Sequence, residues 1–248
     1  MVETKYAFSI LHIRWFKKVN LRNITSVKVF KGGRIVMKVL VIGANGQVGT
    51  HLITKLAERG HEPVGMIRDT DQVKAIEDAG GKTVLGDLEK DFSQALYGCE
   101  AVIFAAGSGP HTGADKTIVI DQEGAIKAVD EAKQQGIKRF VMLSTVGSDY
   151  PEKGPDNMKP YLHAKKRADE HLKATNLTYT ILRPGSLSNE PGTGQIRAAE
   201  TLEDKSGEIP REDVAAVLTE VLENKHTFNR TFEVLNGDQS ISDAIGQL

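Results

Sequence analysis

The 248-residue chain has almost no cysteine: Cys99 stands alone, which excludes an intrachain disulfide and any cage of cysteine ligands around a metal. It lacks an apolar run approaching the ~20 residues of a membrane span. After Met37 there is no internal repeat, low-complexity tract or linker-like stretch. The chain also lacks a basic body. Its formal charge is −1, yet residues 1–36 carry eight Lys/Arg against the single Glu3, which leaves the remainder at −8. An acidic body argues against nucleic acid as the main ligand. With 40% apolar and 26% charged residues, these absences predict a globular protein of the reducing cytoplasm with no membrane or nucleic-acid partner, a monomer or small homo-oligomer.

Residues 1–36 form a basic N-terminal extension. Tyr6 to Phe16 is apolar and aromatic, but His12 and Arg14 interrupt it and no small-residue cleavage site follows, so a secretory signal fits poorly. An Arg/Lys-rich presequence or a basic membrane-surface helix fits the composition. So does a mis-assigned start: Lys31-Gly32-Gly33, three residues and then Met37 is what a purine-rich ribosome-binding site spells when read in frame. The expectation is that the folded domain is 37–248.

That domain opens with the stretch around which the rest is organised. Val39-Leu40-Val41-Ile42 is unbroken and apolar, as a strand covered on both faces must be. Gly43, Gly46 and Gly49 follow, then Val48, Leu52 and Leu56 at helical spacing. Glycines here let the backbone turn tightly and approach a pyrophosphate, and the helix N-terminus offers N–H groups to the anion. The residues expected to line a dinucleotide are therefore Gly43, Asn45, Gly46, Gln47, Val48 and Gly49. Their spacing is G-x-x-G-x-x-G, not the commoner G-x-G-x-x-G.

Strand and helix patterns then alternate. Strands are expected within His61–Arg68, Lys82–Gly86, Ala101–Gly107, Phe140–Leu143, Thr178–Leu182 and Phe232–Leu235, with helices ending at Gly60 and Gly80 and others over 92–96, 124–135 (closed by Gly136), 160–175 and 212–223. Right-handed crossovers turn such alternation into an α/β, doubly wound parallel sheet in a single domain.

Tyr161 and Lys165 stand four apart behind Pro160, on one face of a helix. An ammonium at ~4 Å, in an effective dielectric near 20, is worth about 4 kcal/mol to a phenolate, enough to move a tyrosine from about 10 toward neutrality. Arg68, about 20 residues past the glycines where the second strand ends, is placed to accept the extra phosphate of NADP, while the adjacent Asp69 should point elsewhere. His111 lies in a loop with no Cys or carboxylate cluster of metal spacing beside it, so no metal is assigned.

Taken in order, Gly43/Gly46/Gly49, Asp87-Leu88, Ala105-Ala106-Gly107, Leu143-Ser144-Thr145, Tyr161-Leu162-His163-Ala164-Lys165 and Arg183-Pro184-Gly185 resemble the short-chain dehydrogenase/reductase superfamily. The glycine spacing and the Arg-Pro-Gly are similar to its extended and atypical branches, nearest to compact NAD(P)-binding, NAD-dependent epimerase/dehydratase-like bacterial proteins. The resemblance implies a Rossmann fold, Tyr161 as general acid/base and Lys165 as its partner and as a holder of the nicotinamide ribose. The orienting hydroxyl would come from Thr145, by register along the fifth strand, or from Ser144. It also implies a cofactor contact by Asp87, Leu88, Ala105, Ala106, Gly107, Pro184 and Gly185. NADP is the favoured cofactor, with NAD the alternative. The expected activity is hydride transfer to a small carbonyl-like substrate. A sugar epimerase/dehydratase and a non-catalytic NADP-binding redox sensor are the alternatives. After Gly185 only residues 186–248 remain, less than the C-terminal lobe with which extended members grip nucleotide sugars, which favours a smaller substrate.

Overall fold

The computed structural model describes residues 28–29, 35–109 and 113–248. His111 and the expectations for the basic extension lie outside them, apart from a short ladder in which Lys28–Val29 pairs antiparallel with Ile35–Val36.

Seven parallel strands make the body of the sheet: β1 (Lys38–Ile42), β2 (Glu62–Ile67), β3 (Lys82–Leu85), β4 (Ala101–Phe104), β5 (Arg139–Leu143), β6 (Thr178–Pro184) and β8 (Arg230–Asn236). Beyond β8 the sheet is extended by β7 (Gln195–Ala199), antiparallel to β8, and then by β9 (Gln239–Ser240), antiparallel to β7. The order is β9-β7-β8-β6-β5-β4-β1-β2-β3. Chain order therefore reverses between β1 and β4, and a ligand crevice forms outside the carboxyl ends of strands at such a switch.

The pleat of β1 explains its unbroken apolar run. Val39 and Val41 point to one face, where they join Leu52, Ile53 and Leu56 of α1 (Gln47–Glu58) and Val214 and Leu218 of α5 (Arg211–Val221). Leu40 and Ile42 point to the other face, against Phe92, Val129 of α3 (Ala125–Gln134) and Leu172 of α4 (Lys159–Lys173). Every side chain of the run is fully buried, so each face needs its own layer of helix. On the first face, Lys55 to Glu212 (2.9 Å) and Arg59 to Glu220 (2.7 Å) link α1 to α5.

The remaining helical elements differ from expectation in instructive ways. The helix preceding β5 does not begin at Gly124: an eight-residue π-helical stretch, Thr117–Gly124, leads into α3. Between β2 and β3 runs α2 (Val73–Asp78), as expected, whereas Ser93–Leu96 is only a 3₁₀ turn. β7, β9 and the terminal α6 (Ile241–Gly246) carry too weak a pattern to be read from sequence. In Gln195–Ala199 only Ile196 is fully buried, so the pairing with β8 decides its conformation and not its own periodicity.

Candidate functional site

A cavity of about 370 Å³ opens at the β1/β4 switch, of a size usual for small-ligand pockets. Gly43, Asn45 and Gly46 form one wall, Ala105, Ala106 and Gly107 the facing one, and Arg68, Asp87 and Leu88 the far end. The turn is possible only with glycine. Gly43 has φ +90°, and a Cβ on it would lie 2.6 Å from the Ala106 nitrogen. A Cβ on Gly49 would lie 2.1 Å from the Gly43 carbonyl oxygen, which is how α1 seats against the turn. Gly46 caps α1 with no side-chain hydrogen bond and no acidic residue in the first turn, so the positive end of the helix faces the cavity. This chemistry fits a dinucleotide pyrophosphate.

Not every expected residue reaches that wall. Val48 and Gly49 turn inward and are buried. Gln47 lies on the far side of α1's first turn, lining a second cavity of about 450 Å³ with His51, Asn189 and Arg211. Pro184 and Gly185 line neither cavity. A Cβ on Gly185 would lie 2.3 Å from Leu235 Cδ2, so this glycine lets β6 leave the sheet beside β8. At the far end Arg68 is exposed and lines the cavity whereas Asp69 does not, as their expected divergence requires. Gln72 accepts from the Arg68 N–H (3.2 Å) and holds the strand end. The Asp87 carboxyl is held below its ordinary range, chiefly by the Glu89 N–H at 3.0 Å.

Tyr161 and Lys165 lie in α4 at the carboxyl end of β5. Lys165, 4% exposed, donates to the Leu143 carbonyl (3.2 Å), and its ammonium sits 5.7 Å from the Tyr161 ring centre. The expected lowering of the tyrosine pKa does not occur. Burial raises the phenol above its ordinary range, and the pull of Lys165 is opposed by Asp121 and Asp169. Burial is the larger cause, and to it is added Asp121, a residue the sequence alone did not single out. Wholly buried in the π-helical stretch, it places Oδ1 3.2 Å from the Lys165 ammonium while Oδ2 accepts from the Ser108 N–H (3.0 Å). Burial pulls the Lys165 pKa down, but Tyr161, Asp121 and Asp169 together outweigh it and hold the ammonium above its usual range. One signal could have found Asp121: a carboxylate directly after Ile118-Val119-Ile120.

The two candidate hydroxyls part company. Ser144 is buried and donates to Asp169 Oδ2 (2.9 Å), which also accepts from Ser148 (3.2 Å) and from Arg183 Nη2 (2.9 Å) and Nε (3.2 Å). Burial pushes the Asp169 carboxyl upward against the pull of Arg183 and Ser144. This cluster fastens the loop after β5 to α4 and β6. Thr145, half-buried, has only a long bond (3.4 Å) to the Val146 carbonyl.

Among the described residues no group of three or more His, Cys, Asp or Glu could hold a metal, and no helix is long and apolar enough to cross a membrane.

Residues 43–225 match the family described as NAD(P)H-binding. The uncharacterized sugar epimerase YhfK of Bacillus subtilis is 44% identical over 216 residues, covering 86% of this chain and all of the relative. Among solved structures, a Bacillus halodurans protein provisionally described as an NAD-dependent epimerase/dehydratase superposes with TM-score 0.84 at 50% identity, over 86% of this chain and all of the other. The oxidoreductase ylbE of Lactococcus lactis gives 0.77 at 31% identity, over 86% and 96%. With its glycine turn, its switch-point cavity and these relatives, the chain belongs to the NAD(P)H-binding family of Rossmann-type proteins, which take a nicotinamide cofactor.

Proposed function

We propose that this chain is an NADP-dependent oxidoreductase of the atypical short-chain dehydrogenase type that reduces a small carbonyl-like substrate, with Tyr161 as proton donor. The observation that carries the proposal is the buried Lys165 ammonium, fixed to the Leu143 carbonyl at the carboxyl end of β5 and 5.7 Å from the Tyr161 ring. The bound nicotinamide supplies the hydride. Tyr161 holds its proton at neutral pH, because its environment raises the phenol pKa, and gives it to the substrate oxygen as negative charge develops there. Lysine has three N–H donors. The Leu143 carbonyl takes one of them and Asp121 balances the charge from 3.2 Å, which leaves a donor to serve the cofactor ribose. Thr145 orients the substrate, since Ser144 is committed to Asp169. Arg68 at the cavity end supports NADP, because a guanidinium can pair with the 2′-phosphate. A small substrate agrees with the placement of residues 186–248, which build β7, β8, β9, α5 and α6 onto the main sheet and pair Ser186–Ser188 with Glu208–Pro210 in a short ladder of their own.

A second reading, an NAD-dependent epimerase or dehydratase, is favoured by the descriptions of the two Bacillus relatives and would use the same tyrosine. Titration with NADP(H) and NAD(H), followed by a carbonyl panel read at the nicotinamide absorbance, separates the two. Net oxidation of NADPH is expected, whereas turnover without net cofactor change selects the epimerase. In the reductase, Tyr161→Phe should cut turnover about 100-fold or more with cofactor affinity unchanged. Full turnover in that variant removes the proton-donor role. Cofactor binding that alters a partner's affinity, with no substrate turned over, selects a redox sensor.

A further inference from the structure

We infer that Asp121 is a positioning residue that ties the Lys165 ammonium to the cofactor-side loop and, by compensating its charge, keeps Tyr161 in the proton-donating form. The site is thereby set for reduction over oxidation. This rests on Tyr161 being the acid.

Asp121 is 0% exposed, inside the π-helical Thr117–Gly124, and bridges two parts of the site. Through Oδ2 it accepts from Ser108, a cavity-wall residue, and Oδ1, which has no hydrogen-bond partner, is ion-paired with the Lys165 ammonium at 3.2 Å. Gly107 leaves the space for this approach, since a Cβ there would come within 3.3 Å of Oδ1. π-Turns inside helices recur at functional sites, and this one carries a buried carboxylate into the site.

Burial raises the Tyr161 phenol first, and the charges around it decide how far Lys165 can draw it back. From its own helix it faces Lys165 and Asp169, and from the π-helical stretch Asp121. Asp169 is bound by Arg183 from β6 and by Ser144 and Ser148 from the loop after β5. An unpaired ammonium beside a buried phenol favours phenolate, which accepts a proton from an alcohol. A paired ammonium does not, and leaves a neutral phenol able to donate.

Asp121→Asn retains an acceptor for the Ser108 N–H and removes the charge. Alkaline titration of tyrosinate absorbance in the cofactor-free protein reads the effect without any substrate. Of the five tyrosines, one should titrate about one pH unit or more lower in Asp121→Asn than in the unmutated protein. That difference should vanish when Tyr161→Phe is added. Superimposable titrations overturn the inference. Should Asp121→Asn fail to fold, Lys165→Met gives the converse test: the Tyr161 step must move up, and an unmoved step is equally fatal. Full turnover by Tyr161→Phe would end the acid assignment while leaving the titration result standing, so the two failures are distinguishable.

Discussion

Strand β5 meets a buried cation at each end, its own Arg139 at one and Lys165 reaching in from α4 at the other, and the two are satisfied in opposite ways. Arg139, 6% exposed at the amino end, uses all five of its N–H donors on neutral acceptors. These are the carbonyls of Leu222 (3.1 Å), Val221 (2.7 Å), Thr178 (3.0 Å) and Phe140 (3.3 Å), and the Thr180 hydroxyl (2.6 Å). Phe228 stacks 4.6 Å from the guanidinium. With no carboxylate to balance it, burial brings Arg139 down to about 9. It thereby closes the C-terminus of α5, where a cation meets the negative end of the helix dipole. Lys165, at the carboxyl end, is balanced by Asp121 and keeps a donor in hand. A saturated cation fixes the fold, whereas one with spare capacity and a charged partner can serve a ligand. The sheet thus has a structural end and, on the function proposed above, a chemical end.

The strongest way to break that contrast is Arg139→Met. It strands the carbonyls of Val221 and Leu222 in the interior, and leaving buried groups unpaired costs about 1–3 kcal/mol each. A loss of about 3–5 kcal/mol in urea unfolding is expected, with cofactor affinity of the folded protein unchanged. A stable variant with impaired binding would show that the amino end is not purely structural.

His61 tests the same end by pH. It opens the turn into β2, accepts from the Met37 N–H through Nδ1 (3.3 Å) and leaves Nε2 buried without a partner. Burial, with help from Arg59, lowers its pKa from 6.5 to about 4. Above pH 6.5 the imidazole is neutral in both folded and unfolded chains, and its contribution is complete. Between 6.5 and 4 only the unfolded chain takes the proton, so stability falls as pH falls, by about 3 kcal/mol over the whole range. Urea midpoints at pH 7 and 4.5 should differ more for the unmutated protein than for His61→Gln; equal differences would remove the histidine from the account.

The smallest effect belongs to the chemical end. Arg68→Ala alters an exposed side chain, so stability should shift by no more than about 0.5 kcal/mol. The preference for NADPH over NADH, expected from charge-assisted bonds to a phosphate, should fall about tenfold while NADH affinity holds. Equal affinities for both cofactors before mutation would contradict the role given to Arg68.

Legibility followed the range of the interactions. The β1 strand, the glycine turn and α1 lie within one stretch of chain, where hydrophobic period and backbone sterics write directly into the order of residues. The same holds for Tyr161 and Lys165, four apart on one helix. The loop after β5 was half legible: its two hydroxyls are adjacent in sequence, but the commitment of Ser144 depends on Asp169 and Arg183, held on other elements.

By itself, then, the sequence determined the alternation that makes a doubly wound sheet, the glycines without which the turn cannot close, and the pairing of tyrosine with lysine. Tertiary structure alone decided which charges surround that pair. Asp121 is far from Lys165 along the chain, and the packing of the π-helical stretch against α4 brings their charged atoms to 3.2 Å. Burial first, and then the Asp121 and Asp169 carboxylates, outweigh Lys165 and reverse the expected sign of the Tyr161 shift, because electrostatic energy depends on distance and burial, and neither is recorded in residue order.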